Sequence, residues 1–231
     1  MNGNQIMLQY DPLDCLPPAE DLLDSDDTPV DSQLQHLIFV LLEAILAFVW
    51  ADRMDWFFGV NLRIYDHPKK PAIAPDGFLS LGVERIVDEH LRLAYLLWEE
   101  QRVPIMTLEV IAHQPDGEYN IKKKFYTQLE VLYYVIYSPE RQRKQTLEVY
   151  RLVNGKYQLQ LGNPIWLPEV GLGIGCEQGT YQGIKREWLY WYNEQGKRLL
   201  TLEERVQQAE QRAQMLAERL KSLGVDPDSL V

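Results

Sequence analysis

Two carboxylates interrupt runs that would otherwise read as apolar strands. In IAPDGFLSL, residues 73–81, Asp76 stands between Pro75 and Gly77 with apolar residues on both sides. In IMTLEVIAH, residues 105–113, Glu109 breaks a run whose length and β-branched content suggest a fully buried strand. If the two segments are neighbouring strands, the carboxylates project side by side and repel. Such a pair either shares a proton or holds a divalent cation. Magnesium suits oxygen ligands and keeps several waters when only one or two carboxylates hold it. A water so bound becomes a nucleophile, and the cation screens charge developing on a phosphate. Lys122, four residues before Tyr126 on a helix predicted to come after the Glu109 strand, could add its own charge to that work. Lys123 and Lys124 are expected to face water or phosphate.

A plainer reading fits the same residues. Asp between Pro and Gly is a common turn former, and Glu109 could be a partly exposed edge residue.

Composition bounds the setting. With 231 residues, 46% hydrophobic and 25% charged, the chain can bury one sizeable core and need not divide into several. The net charge of -11 opposes a broad nucleic-acid face, but seven of the acids and no base fall in residues 1–30, which leaves -4 for the rest. Small basic clusters remain at Lys69 and Lys70, at Lys122, Lys123 and Lys124, and at Arg141, Arg143 and Lys144. The longest apolar run, Leu37 to Trp50, is too short to span a bilayer and contains Glu43, so it reads as a core helix and no membrane partner is expected. The opening residues lack the pattern of a cleavable leader, and a cytoplasmic address is the default expectation. Cys15 and Cys176 have no metal or redox spacing and read as free thiols.

The elements that must position the carboxylates are set by periodicity. Residues 1–30, with four prolines and clustered acids, read as a disordered acidic tail. A helix is predicted from Gln33 to about Ala51, then strands at 56–65 and 73–81, two more in RLAYLLWEE and VPIMTLEVIA, and a helix from Glu118 to Val131 with Ile121, Phe125, Leu129 and Leu132 on one face. YYVIYSP reads as a buried strand, and residues 146–160 as a hairpin turning at Asn154-Gly155. Strand and turn material continues to about residue 197, with GLGIGCEQG read as a turn or bulge and WLYWYNEQG as a strand with half-buried rings. In the last segment Leu202, Val206, Ala209, Ala213, Leu216 and Leu220 alternate spacings of four and three, the a/d pattern of a coiled coil nearly three heptads long. A single helix packing that stripe onto the body is the other possibility. The whole is an α/β fold, a mixed sheet flanked by helices.

Three separated segments, APDGFLSLGVER, PIMTLEVIA and GEYNIKKKFYTQLEVLYYVIYSPE, resemble the Uma-two family of restriction-endonuclease-like proteins, of the PD-(D/E)XK superfamily, over about residues 31–195. The resemblance implies a restriction-endonuclease-like fold in which Asp76, Glu109 and the backbone carbonyl of Val110 bind Mg2+, with Mn2+ as an alternative. The superfamily lysine would fall two residues after the glutamate, where this chain has Ile111; Lys122 matches the position from which the family's helix supplies a substitute. Glu130 stands where the family usually has Gly, and Asn120 where an acid is common.

These features together read as a Mg2+-dependent endonuclease acting on DNA, with Asp76, Glu109 and Lys122 as the catalytic set and Glu118 as a supporting acid. The alternative is a catalytically inactive nuclease-fold adaptor that binds nucleic acid or protein partners. Residues 31–197 would form the nuclease-like domain and residues 198–231 a helical segment that pairs two copies into a homodimer through residues 201–222. Other candidates are weaker. Asp66-His67 and Glu89-His90 lack metal spacing, the GxG in GLGIGCEQG lacks a phosphate-loop context, and Glu43 reads as a locally paired carboxylate.

Overall fold

The computed structural model describes residues 33–87, 91–111, 117–139, 146–224 and 226, with only the backbone of 117–120. The acidic segment, Cys15, Glu89-His90, the side chains of Glu118 and Asn120, and the cluster at 141–144 lie outside the described residues.

The strand order of the main sheet reflects which segments can be buried on two faces. Its six strands are β1 (Trp56–Val60), β3 (Gly77–Leu81), β5 (Met106–Val110), β6 (Tyr133–Tyr137), β7 (Leu147–Val153) and β8 (Lys156–Gln160), side by side in that order. The runs buried at every position, β5 and β6, take the centre, and the less buried hairpin β7–β8 takes one edge. All pairs are antiparallel except β5 with β6, whose parallel pairing requires the crossover helix α3 (Gly117–Gln128). The hairpin turns at Asn154 (φ 50°) and Gly155 (φ 72°), both left-handed as a two-residue turn of this kind demands. A short parallel pair, β2 (Ile64–Tyr65) with β4 (Tyr95–Leu96), and a three-stranded antiparallel sheet of β9 (Ile165–Leu167), β10 (Leu172–Tyr181) and β11 (Ile184–Tyr192) complete the strands.

Alternation along β5 assigns the two faces. Met106, Leu108 and Val110 join the larger core with α1 (Gln33–Val49) and the rings of β11; Ile111, beyond the strand, joins Tyr126, Val131, Tyr134 and Ile136 under α3. Trp191 Nε1 donates to the Leu42 carbonyl at 3.1 Å, which fastens the second sheet to α1.

Several expectations need correction. RLAYLLWEE is a strand only at Tyr95–Leu96, and Leu97–Glu100 turns into the short helix α2. GLGIGCEQG is no turn but the body of β10, where Gly173, Gly175 and Gly179 give room to Tyr192, Asn163 and Tyr190. Trp188 and Trp191 are wholly buried rather than half-buried. Ile121 is 71% exposed, so the buried side of α3 runs through Tyr126 instead, with Phe125 and Leu129 partly buried beside it. The C-terminal helix α4 (Leu202–Ser222) buries no residue, which removes the reading in which its stripe packs on the body. Among the described residues no helix is long and apolar enough to cross a membrane.

Two backbone positions flank the carboxylate strands. Gly77 does not adopt a left-handed turn conformation; it opens β3, and a Cβ there would fall within the van der Waals radius of the Phe39 ring on α1. Gly77→Ala should therefore cost about 1–3 kcal/mol of unfolding free energy in denaturant titration, because Phe39 is itself buried and cannot yield. Glu130 holds φ 62° just beyond α3. Glu130→Gly should relieve that conformation and raise stability by up to about 1 kcal/mol in the same measurement.

Candidate active site

The β3–β5 register sets the site. Gly77 pairs with Leu108, Phe78 with Thr107 and Leu79 with Met106, so continuing one residue past the end of β3 brings Asp76 opposite Glu109. Paired residues of an antiparallel ladder point to the same face, and both carboxylates therefore belong to the α3 side of the sheet. The ladder stops at Gly77, which leaves the peptide groups of Val110 on that edge without a strand partner. Other groups take them up. Val110 N donates to Asp76 Oδ2 at 2.7 Å, and the Val110 carbonyl lies 3.4 Å from Gln35 Nε2, on the first turn of α1. The same Gln35 Nε2 lies 3.4 Å from Asp76 Oδ2. One amide nitrogen thus stands between two of the oxygens named as cation ligands.

Glu109 is 1% exposed in a central strand, so neither the edge reading nor a solvated side chain describes it. Its oxygens are each held from α3: Tyr126 OH donates to Oε1 at 2.7 Å, and Lys122 Nζ to Oε2 at 2.8 Å. Lys122 and Tyr126 are one helical turn apart and so reach the sheet together. The Lys122 side chain is 14% exposed, with its ammonium turned inward. Burial pushes the Glu109 carboxyl up to about 7, Asp76 adds to the rise, and Lys122 and Tyr126 oppose it. Burial and the Glu109 charge raise the Tyr126 phenol well above its usual range, which keeps it a proton donor.

The donor set suits a hard divalent cation. Two carboxylates and a carbonyl supply only oxygen, and among the described residues no three His, Cys, Asp or Glu side chains cluster, so any cation here would complete its shell with water, as Mg2+ commonly does. The shared hydrogen bonds of Gln35 mark the place between Asp76 Oδ2 and the Val110 carbonyl where a neutral amide donor already bridges the two oxygens.

The sequence candidates divide plainly. Asp76, Glu109, Val110 and Lys122 come together. Lys123 does not face phosphate or water freely; its ammonium sits 3.5 Å from the ring centroid of Tyr150. Asp66 pairs with Lys70 and His67 accepts from Lys69 N in an exposed loop. Glu43 is partly buried near Arg85, its carboxyl raised by that burial. Cys176 is a buried free thiol beside a cavity of about 340 Å³ lined by Thr146, Gln160, Asn163 and Glu187, none of them a site residue. Gln35 was missed: a polar residue opening an apolar helix has no sequence signal that separates a site contact from a solvated end.

Known proteins give three findings. The family model Uma2, described as "Putative restriction endonuclease", matches residues 26–177, which is 152 of the 231 residues. A crystal structure described as a putative nuclease belonging to DUF820, from Anabaena variabilis, is similar with a TM-score of 0.44 and 15% identity, over 61% of this chain and 75% of that one. No curated protein matches the chain.

Glu109 also fixes a pH dependence. Its carboxyl is raised from 4.5 to about 7, so between those values the folded protein keeps a proton that the unfolded chain has lost. The contribution is fully present below pH 4.5 and lost as pH rises through 7, on the order of 3 kcal/mol. Denaturant titrations of the metal-free protein at about pH 5 and about pH 8 should show that fall, and Glu109→Gln should flatten it.

Proposed function

This chain belongs to the Uma2 family, and from that footing we propose that it is a divalent-cation-dependent endonuclease that hydrolyses phosphodiester bonds of DNA. The observation that supports the reading best is the buried Glu109 carboxylate, held by Lys122 and Tyr126 in register with Asp76. Asp76, Glu109 and the Val110 carbonyl would hold the cation, Mg2+ or Mn2+. When bound, that cation supplies an activated water and screens charge on the phosphate.

The protein's own groups do the rest. Val110 N fixes one oxygen of Asp76, so the carboxylate arrives already oriented. Tyr126 holds Oε1 of Glu109, which limits rotation of the carboxylate about its last bond. Lys122 keeps a largely buried ammonium against the Glu109 carboxylate, where it can stabilise negative charge on a scissile phosphate. The chain carries one such set among its described residues, so cutting both strands of a duplex takes two copies or two visits.

A second reading, a nuclease-fold adaptor without catalysis, is favoured by Ile111 at the position where the superfamily has its lysine and by the net charge of -11. Thermal unfolding with added Mg2+ or Mn2+ separates the possibilities. The active reading expects stabilisation by about 2.7 kcal/mol at a hundredfold excess over Kd, absent in both Asp76→Ala and Glu109→Ala. It also expects plasmid nicking that falls roughly a hundredfold in Lys122→Gln. An undiminished cation response in either carboxylate variant overturns the site, and a normal cation response without nicking supports the adaptor.

A further inference from the structure

α4 runs for 21 residues and buries none of them. Leu202, Val206 and Leu216 are 47%, 56% and 57% exposed. The helix is nevertheless securely started. Thr201 and Glu204 form a reciprocal capping box, Arg198 donates to both oxygens of Glu204 at 2.9 and 2.7 Å, and the Arg205 guanidinium lies 4.1 Å from the centroid of the Phe48 ring on α1. Among the described residues the later turns gain no comparable anchor, although an amphipathic helix of this length draws most of its stability from burying its apolar face.

The charges beside the stripe say what could cover it. With Leu202, Ala209 and Leu216 at the d positions and Val206, Ala213 and Leu220 at a, the e positions are Glu203, Glu210 and Ala217, and the g positions are Arg205, Arg212 and Arg219. Acids flank one side of the stripe and arginines the other. A second α4 lying antiparallel in full register would set Arg212 against Arg212, Arg205 against Arg219 and Glu210 against Glu210, every charged contact repulsive. A second α4 lying parallel sets Arg205 opposite Glu210 of the other copy, twice by symmetry, and faces Arg212 with Ala217. Like-charge contacts, more than the gain from one pair of ion pairs, decide the orientation. Ala209 and Ala213 in the middle layers permit a close approach of the two helix axes.

We propose that α4 pairs with the α4 of a second copy of this chain as a parallel two-stranded coiled coil. Its heptads are few, so the pair forms and dissociates with protein concentration. The two bodies then lie at the same end of the coil, related by a two-fold axis along it. The pairing stands on α4 alone, so a failed nicking assay leaves it untouched.

Sedimentation equilibrium of the full chain over roughly a hundredfold range of concentration tests it. The expected mass rises from one 27.0 kDa chain to twice that value, and Val206→Glu with Leu216→Glu holds it at one. Orientation is read by cysteine crosslinking on a Cys15→Ser background. In a parallel pair Ala209→Cys meets itself and forms a covalent dimer under mild oxidation. Monomer at every concentration, a larger assembly, or crosslinking only when Ala209→Cys is mixed with Ala213→Cys would overturn the proposal.

Discussion

A carboxylate buried in the central strand of a sheet has to be neutralised, and much of the fold around Glu109 can be understood from that constraint. Removing a charge from water costs several kcal/mol unless a partner and hydrogen bonds replace the solvent. The partners come from α3, which exists because β5 and β6 are parallel and need a crossover. Lys122 and Tyr126 share the face of that helix turned to the sheet, so one secondary-structure element delivers both the countercharge and the hydrogen bond. The compensation is incomplete, and burial still holds the carboxyl near neutrality. A group in that condition changes its charge within the neutral pH range, a property of the site independent of any named substrate.

The second half of the arrangement depends on where a strand stops. Because β3 pairs with β5 only from Gly77 onward, the edge at Val110 is left to side chains, and Asp76 and Gln35 answer it. Gly77 is what lets α1 come this close, since Phe39 occupies the space a side chain would need. The helix, the end of the strand and the carboxylate are thus parts of one packing solution, and none could shift far alone.

Much of this was legible in the sequence where the signal was local. The hairpin at Asn154-Gly155, the helix from Gln33 and the strand at Tyr133–Tyr137 come from short-range pattern, and the carboxylates announced themselves by interrupting apolar runs. What could not be read depended on distant partners. The glycines of β10 look like turn formers until Tyr190 and Tyr192 of the neighbouring strand are seen to occupy the space above them. Lys123 reads as a solvated cation until the hairpin brings Tyr150 beneath it. Ile121 looks like a core residue because the helical period was counted from the wrong face; the inward position belongs to a lysine, and a lysine turned inward is unexpected unless its acid is already known.

The buried tryptophans are confined to one face. Trp56, Trp188 and Trp191 lie in the core shared by α1 and the second sheet, whereas the fully buried rings of the cluster under α3 are two tyrosines, Tyr126 touching the Glu109 carboxylate and Tyr134 tilted against Tyr126 with 5.3 Å between ring centroids. Emission from the buried indoles therefore tracks the integrity of the large core, whereas phenol signals mix both faces, since Tyr133, Tyr137, Tyr181, Tyr190 and Tyr192 share the core of the tryptophans.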